Sequence, residues 1–417
     1  MLPYLFSLAL AASLPAYAQS LSYTASGSAL TLEQAQALAL QRNPQLAAAS
    51  DELLAADGAV QQAAMRPNPS LSFEVQDTRR ATRETTMQLS QPLELGGKRA
   101  YRGAVAERAR DSAALLLQAR RADLRAAVTK AFYALLIAEE RDEVANASMR
   151  NAERATLVAS KRVQAGRISP VDEDKARVAE SVIRLELLQA HSELQTARLR
   201  LAAQWGDRAA QFSRVAGSLD TLPEVAELTV LNARLADSPV VMAAQADVER
   251  QRALARLEQS RRLGDVAVSV GVKRSEELGR NQAIFGVSVP LPIFDRNQGA
   301  ILESLRRVDK ARDEADAAAL QANGDLTQAH ATFTLARQQV AAMRGDILPR
   351  ASRALDAATT GFEFGKFALL DVLDAQRTLL QTRSQYLQAL GVLHNAAADI
   401  ERLAPAPALQ STQGVQP

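Results

Sequence analysis

Two stretches of this chain, about 198 residues apart, repeat one plan. Residues 89–99 read LSQPLELGGKR and residues 287–297 read VSVPLPIFDRN. In each, a proline follows a short alternating run, and a long alanine-rich stretch comes after. Further along, Ala165-Gly166-Arg167 leads to Val171-Asp172, and Phe364-Gly365-Lys366 leads to Leu370-Asp371, at nearly the same offset. The chain is therefore expected to hold two tandem copies of one unit, a strand pair followed by a very long helix. Such an object is part sheet and part helical tube.

The strand pairs show period two. Leu71, Phe73 and Val75 alternate with Ser72, Glu74 and Gln76, and Met87 and Leu89 alternate with Thr86, Gln88 and Ser90. In the second copy Val266, Val268, Val270 and Val272 alternate with Ala267, Ser269, Gly271 and Lys273, and Phe285, Val287 and Val289 alternate with Ile284, Gly286 and Ser288. Each run approaches the roughly 9–11 residues with which a tilted strand crosses a bilayer, with an apolar face for lipid and a small or polar face for a lumen. A half-buried sheet in a soluble protein gives the same alternation. The connector Asp77–Arg83 between the first two runs carries three arginines.

The helices are long. Lys98 to Ala165 holds no proline, and its 68 residues at ~1.5 Å each make about 100 Å. Leu117, Leu124, Val128, Ala131 and Leu135 keep a near-heptad stripe along it. Asn297 to Phe364 matches it, with a kink or break expected at Pro349. Glycine turns at Gly166 and Gly365 lead to returning helices over Pro170–Trp205 and Leu369–Leu403. Before the first strands, a helix capped by Thr31 is expected to break at Asn43-Pro44 and end at Pro67-Asn68-Pro69. Residues 206–228 read as an irregular connector.

Composition narrows the classes. Lys+Arg is 49 against Asp+Glu 47, evenly interspersed, so no nucleic-acid partner is indicated. Aromatics are only 4%, and alanine abounds, which suits close-packed long helices. Cysteine is absent, which rules out disulfides and thiolate metal sites and argues against a lipid-anchored start. Residues 1–18 read as a secretory signal, an apolar stretch Leu5–Leu14 followed by Ala16-Tyr17-Ala18, although no basic residue precedes it. No run of 18 apolar residues follows. The expected organisation is a signal peptide over 1–18, a first repeat over 19–223, a second over 224–403 and a disordered tail over 404–417.

Four short strands cannot close a barrel, and open edges are not tolerated in lipid, where unpaired backbone groups cost several kcal/mol each. The strands must then be pooled between chains. Two chains supply eight and three supply twelve; eight-stranded barrels fill with side chains, whereas larger ones leave a lumen.

At this point the chain resembles the outer membrane efflux protein family, the TolC-like channels of Gram-negative tripartite export systems. The resemblance spans roughly Leu30 to Leu403. It rests on the duplicated plan, on Gln91-Pro92-Leu93-Glu94-Leu95-Gly96-Gly97-Lys98-Arg99, on the segment from Pro290 to Gly299, and on Gly365-Lys366-Phe367-Ala368-Leu369-Leu370-Asp371 with the residues to Arg377. The two proline motifs are most similar to the CzcC-type branch, which serves heavy-metal cation export. The resemblance implies a mainly α fold, with a long α-helical barrel and a shared 12-stranded transmembrane β-barrel built by a homotrimer, four strands per protomer. It also implies a location in the outer membrane with a large periplasmic part. The implied partners are outer-membrane lipid, a periplasmic adaptor and an inner-membrane RND-type pump, with no cofactor.

The candidate site residues gather at turns. Asp371 and Asp374 lie three apart on one helical face beside Gly365. Helix-start acidity accounts for them on its own; the resemblance implies rings of carboxylates at the periplasmic mouth that select cations. At the other tip Asp172, Glu173 and Asp174 follow Ser169 and Pro170, as a solvated first turn would have them. Gly166, Arg167, Asp172, Asp174, Gly365 and Lys366 are the expected contacts with adaptor or pump. Arg167 and Lys366 are also candidates for pairing with the tip acids. Pro92, Gly96, Gly97, Pro290 and Pro292 are read as strand-to-helix bends. Gly96-Gly97-Lys98 lacks the spacing of a phosphate loop.

His191, His330 and His394 are far apart and show no chelating spacing. No G-x-S-x-G, H-E-x-x-H or cysteine nucleophile is present, so the chain reads as a non-enzyme. The leading function is a passive duct for divalent heavy-metal cations. Export of drugs or of a polypeptide by type I secretion is the alternative, and a pore-free periplasmic coiled-coil scaffold stands behind both.

Overall fold

The computed structural model describes residues 29–405. The expected signal peptide and nearly all of the expected tail lie outside them. Short strand β1 (Leu30–Thr31) runs into α1 (Leu32–Arg42), where Thr31 Oγ1 accepts from the Gln34 N–H at 3.3 Å and the Gln34 side chain accepts from the Thr31 N–H at 3.1 Å. This reciprocal cap satisfies two orphan donors. Asn43 ends α1 and starts α2 (Pro44–Ala63), accepting from the Leu46 N–H at 2.9 Å with Pro44 as the first helical residue. The break expected at Asn43-Pro44 is therefore a relay between two helices.

Strands β2 (Ser70–Gln76) and β3 (Glu84–Leu93) form an antiparallel hairpin, with Leu71 opposite Leu89 and Phe73 opposite Met87. Helix α3 (Lys98–Gln164) then runs 67 residues without interruption, and α4 (Pro170–Ala203) returns along it. Strand β4 (Val215–Ala216) pairs with β1 in parallel, so the connector expected to be irregular holds one ordered anchor. Its Val215 N–H also reaches Glu139 Oε1 on α3 at 3.3 Å. Glu139 is 7% exposed, and its carboxyl is pushed above the usual range by that burial.

The second copy begins with α5 (Leu228–Arg234), a short 3₁₀ turn and α6 (Pro239–Ser260). Strands β5 (Val266–Ser275) and β6 (Arg280–Ser288) follow. The two hairpins join through β3 and β5 into one antiparallel sheet of order β2-β3-β5-β6, which leaves β2 and β6 as edges. The register aligns the faces. Leu71, Leu89, Val270 and Phe285 form one row; Phe73, Met87, Val272 and Ala283 form the next; and Ser72, Gln88, Gly271 and Ile284 lie between them on the other face. The apolar rows are bare: Phe73 is 70% and Phe285 is 80% exposed. β2 has seven residues, short of the expected 9–11, while β3, β5 and β6 have ten, ten and nine.

Helix α7 (Gln298–Ala342) passes through a π-turn (Met343–Ile347) into α8 (Leu348–Glu363), and α9 (Leu369–Leu403) returns. Pro349 neither breaks the helix nor ends it. The Leu348 N–H bonds to the Met343 carbonyl, one residue further back than an α-helix allows, and this wider turn makes room for the proline ring. Buried positions show what the turn contains. Leu124, Val128, Leu135 and Ala138 of α3 correspond to Ala322, Leu326, Phe333 and Ala336 at an offset of 198 residues. Beyond the turn Ala152 and Ala159 correspond to Ala351 and Ala358 at 199. The π-turn thus holds the one residue by which the second copy is longer.

Each copy has a core where its short helices meet its long ones. Ala35, Leu46, Val128, Phe132, Leu201 and Val215 lie in the first; Leu231, Val241, Leu326, Phe333, Leu390 and Leu393 lie in the second. Near the first, His394 stacks on Tyr133 with ring centroids 3.7 Å apart, 2% exposed, and burial lowers its pKa to about 4. No described helix is long and apolar enough to cross a membrane.

Candidate functional site

Two ends of the molecule carry candidate residues: the junction of sheet and helices, and the tips of the two hairpins. At the junction Gly96 and Gly97 have φ of +71° and +73°, so the chain leaves β3 through left-handed backbone that side chains disfavour. Asn297 takes the same role before α7 with φ +60°. Pro92, expected at this bend, lies inside β3 opposite Ala267. β2 begins only at Ser70, opposite Ser90, so a proline two residues further on interrupts no ladder on that edge. Pro290 and Pro292 lie in the segment between β6 and α7, where the Pro290 ring seats on Gly264, in space that a Cβ would fill.

Lys98 and Arg102 lock this junction. Lys98 pairs with Asp265 at 2.6 Å, joining the start of α3 to the start of β5. Arg102 donates to Glu94 and to the carbonyls of Ala63 and Met65 at 3.1 and 2.9 Å. The Gly-Gly-Lys run is thus a bend whose lysine holds a carboxylate of its own chain.

The tips repeat one geometry. Gly166 and Gly365 have φ of +68° and +72°. Their N–H groups bond to Val163 and Phe362 carbonyls at 2.9 Å, and the N–H groups of Arg167 and Lys366 reach Arg162 and Gly361 carbonyls at 2.8 and 2.7 Å. Both helices therefore end in a Schellman motif, which requires a left-handed residue and hence glycine. The returning helices start differently. Ser169 Oγ accepts from the Val171 N–H at 3.3 Å. The equivalent Ala368 has no such oxygen, and Asp371 Oδ2 reaches back to accept the Ala368 N–H at 2.9 Å. Asp371 is therefore part of the helix start, as its position near the macrodipole favours.

Asp371 and Asp374 are both exposed and line one cleft of about 470 Å³ between α8 and α9, walled by Ala351, Ala354 and Ala357 with Phe367 at its end. Asp374 also borders a groove of about 890 Å³ between α4 and α9, with Arg377, Val182 and Glu186. At the first tip Asp172 lies 3.6 Å from Lys175, and Glu173 is 2.6 Å from Arg177, which holds its carboxyl below the usual range. Asp174 has no ion pair among the described residues. Neither do Arg167 or Lys366, so the suggested pairing of these bases with the tip acids is not formed within one chain.

One tip residue was not anticipated. Arg162, in the last turn of α3, donates to the carbonyls of Phe362 and Glu363 at 2.8 and 3.1 Å and lies 4.1 Å above the Phe362 ring. From the other hairpin it adds a second donor to the Phe362 carbonyl, which already accepts from Gly365, and satisfies the Glu363 carbonyl at the end of α8. A basic residue in a last helical turn is ordinary, and nothing in its spacing points to a helix 200 residues away. Ala159, Ala176, Ala358, Phe362, Leu369 and Val372 form the small core beneath it. No group of three or more metal-ligating side chains occurs among the described residues.

The sequence and the fold have known relatives. The chain is 46% identical over 374 residues to the cobalt-zinc-cadmium resistance protein CzcC of Cupriavidus metallidurans, covering 90% of each chain. It is 27% identical over 241 residues to the nickel-cobalt-cadmium resistance protein NccC of Alcaligenes xylosoxydans xylosoxydans, covering 58% of this chain and 54% of that one. Among solved structures, CusC superposes with a TM-score of 0.75 at 16% identity, covering 89% of this chain and 91% of CusC. The outer membrane protein VceC of Vibrio cholerae gives 0.75 at 18%, covering 89% and 95%. The family model "Outer membrane efflux protein" matches residues 35–207 and 230–404. The chain belongs to the outer membrane efflux protein family.

Proposed function

We propose that this chain is the outer-membrane duct of a three-part efflux assembly that expels divalent heavy-metal cations. The observation that carries the reading is the sheet: four strands with one bare apolar face and two unpaired edges, mounted on helices about 100 Å long. Lipid tolerates such edges only when they are paired. Three chains joined β2 to β6 close a 12-stranded barrel, and the hairpins continue its lumen through the periplasm. The cation class rests on similarity to the cobalt-zinc-cadmium resistance protein over 90% of both chains.

In this reading the duct is passive, with no catalytic step and no cofactor. Gly166, Arg167, Asp172, Asp174, Gly365 and Lys366 occupy the tips, where a periplasmic adaptor and an inner-membrane RND-type pump would engage it. Asp371 and Asp374 stand at the mouth and favour cations. Weak binding suits conduction, so a duct of this kind needs no chelating cluster.

The test is a deletion strain grown on cobalt, zinc, cadmium, nickel and a panel of drugs, with membranes fractionated in parallel. Sensitivity confined to the metals and a heat-modifiable trimer in the outer membrane support the reading. Sensitivity to drugs alone favours the alternative of drug export, and a monomer in the soluble periplasm removes the duct.

A further inference from the structure

The turn joining β2 to β3 carries Arg79, Arg80 and Arg83 against Asp77 alone, a net charge of +2 in seven residues. All four residues are exposed. Asp77 is engaged inside the turn, accepting from the Arg79 N–H at 3.0 Å and from the Thr82 hydroxyl. The Arg83 guanidinium reaches the Thr78 carbonyl at 3.5 Å, and the side chains of Arg79 and Arg80 have no hydrogen bond or ion pair among the described residues. In the adjoining β5–β6 turn, Glu276 is already paired with Arg274 at 2.9 Å, which leaves Glu277 as that turn's one uncommitted acid.

The place of this turn is set by the register. Along the bare face of the sheet, the apolar rows stop at the row Val75–Thr85–Arg274–Asn281. There, arginine and asparagine stand where the two rows before carry valine, phenylalanine and alanine. A hydrocarbon-facing surface ends at that level, and the three arginines follow within one turn. This end of the sheet is opposite the one that continues into the helices, so in the proposed barrel it meets the outer leaflet.

Guanidinium groups at the boundary between acyl chains and water suit one ligand chemistry, the phosphate esters of lipid headgroups. Their planar fork binds phosphate oxygens in pairs, and their weak hydration lowers the cost of sitting against apolar surface. Turned into the lumen instead, three such turns would oppose the exit of the cations that the duct is proposed to carry. We propose that Arg79, Arg80 and Arg83 form a docking surface for the phosphate groups of outer-leaflet glycolipid, and that three such turns fix the height of the barrel in the membrane. This rests on the reading of the chain as an outer-membrane duct.

The experiment uses the full-length protein purified in a non-ionic detergent. Thermal unfolding is followed with added bisphosphorylated lipid A, with chemically dephosphorylated lipid A and with inorganic phosphate. The bisphosphorylated lipid should raise the midpoint of the wild type, while the other two leave it unchanged. Arg79→Ser/Arg80→Ser/Arg83→Ser should lose more than half of that rise yet remain a heat-modifiable trimer. A triple change to lysine should keep an intermediate part, and added salt should reduce it, as exposed charge pairs are screened. An equal rise with dephosphorylated lipid, or a full rise in the serine variant, overturns the proposal. Fractionation separates the two readings. Wild type in the outer membrane with no phosphate-dependent rise removes this surface alone, and wild type outside that membrane removes both.

Discussion

Arg162 and Phe362 meet twice at the tip of the molecule. The guanidinium donates to the Phe362 carbonyl at 2.8 Å and covers the Phe362 ring at 4.1 Å. One side chain thus binds the end of one long hairpin to the end of the other by a charge-assisted hydrogen bond and by a cation–π contact.

Arg162→Ala should free the tips from each other. The local loss is about 1–3 kcal/mol, from hydrogen bonds to a charged donor plus the ring contact at a partly exposed site. Spin labels at positions 167 and 366 should show a broader distance distribution in the variant, with trimer yield unchanged. Arg162→Lys should restore little, because an ammonium cannot both bond two carbonyls and lie flat on a ring.

Asp371 and Asp374 should control cation passage. Asp371→Asn/Asp374→Asn should reduce cation selectivity, read as a smaller reversal potential under a salt gradient in planar bilayers, and weaken block by trivalent metal ions. Asp371→Ala removes the acceptor for the Ala368 N–H as well. It should cost an additional ~0.5–2 kcal/mol at the start of α9. An unchanged reversal potential in the asparagine variant would leave both residues as helix-start acids.

His394 gives the fold an acid limit. Its folded pKa of about 4 lies below the ordinary 6.5, so the unfolded chain takes up the proton first. Its contribution is complete above pH 6.5 and is lost as pH falls from there toward 4. Denaturant midpoints should decline across this window, and His394→Phe, which keeps the stack on Tyr133, should flatten the decline.

Val268 lies on the bare face between Gln91 and Val287. Val268→Arg should weaken assembly by roughly 2–4 kcal/mol if the residue sits near the bilayer midplane. Single cysteines at Val268 and Ser269 should differ in reaction with a water-soluble thiol reagent, the second reacting faster. Equal rates would remove the assignment of faces.

The π-turn should be removable. Deleting Gly345 together with Pro349→Ala should leave α7 and α8 as one α-helix, with Ala351 and Ala358 still facing inward and the melting temperature close to that of the wild type. Deleting Ala145 from the uninterrupted α3 should rotate everything beyond it by about 100° and abolish trimer recovery.

Much of this architecture is legible from periodicity. The span of α3 falls within one residue of the proline-free stretch, because no proline between Gly97 and Gly166 interrupts the helical hydrogen bonds. The faces of the four strands follow from alternation, since a slip of one residue would invert them. The tip glycines announce their own turns. What periodicity hides is contact between distant segments. The grip of Arg162 on α8, the pairing of Leu30 with Val215 and the burial of His394 against Tyr133 each join residues about two hundred positions or more apart. Pro92 reads as a bend because a proline usually ends a strand; only the late start of β2 shows why it does not. At the second tip, spacing brings Asp371 and Asp374 to one face but does not reveal that one of them caps its helix.

The extra residue in the second copy has a consequence for levels. In the proposed trimer, two copies in each of three chains give six hairpins around one axis, a near-sixfold ring. A ring that meets another ring end-on needs its six ends flush. An additional residue in a regular helix would lift three of the six by ~1.5 Å and turn their inward faces aside by about 100°. The turn at Met343–Ile347 takes up that residue as girth instead of height, and beyond it the inward faces of the two copies stay in step as far as Ala159 and Ala358.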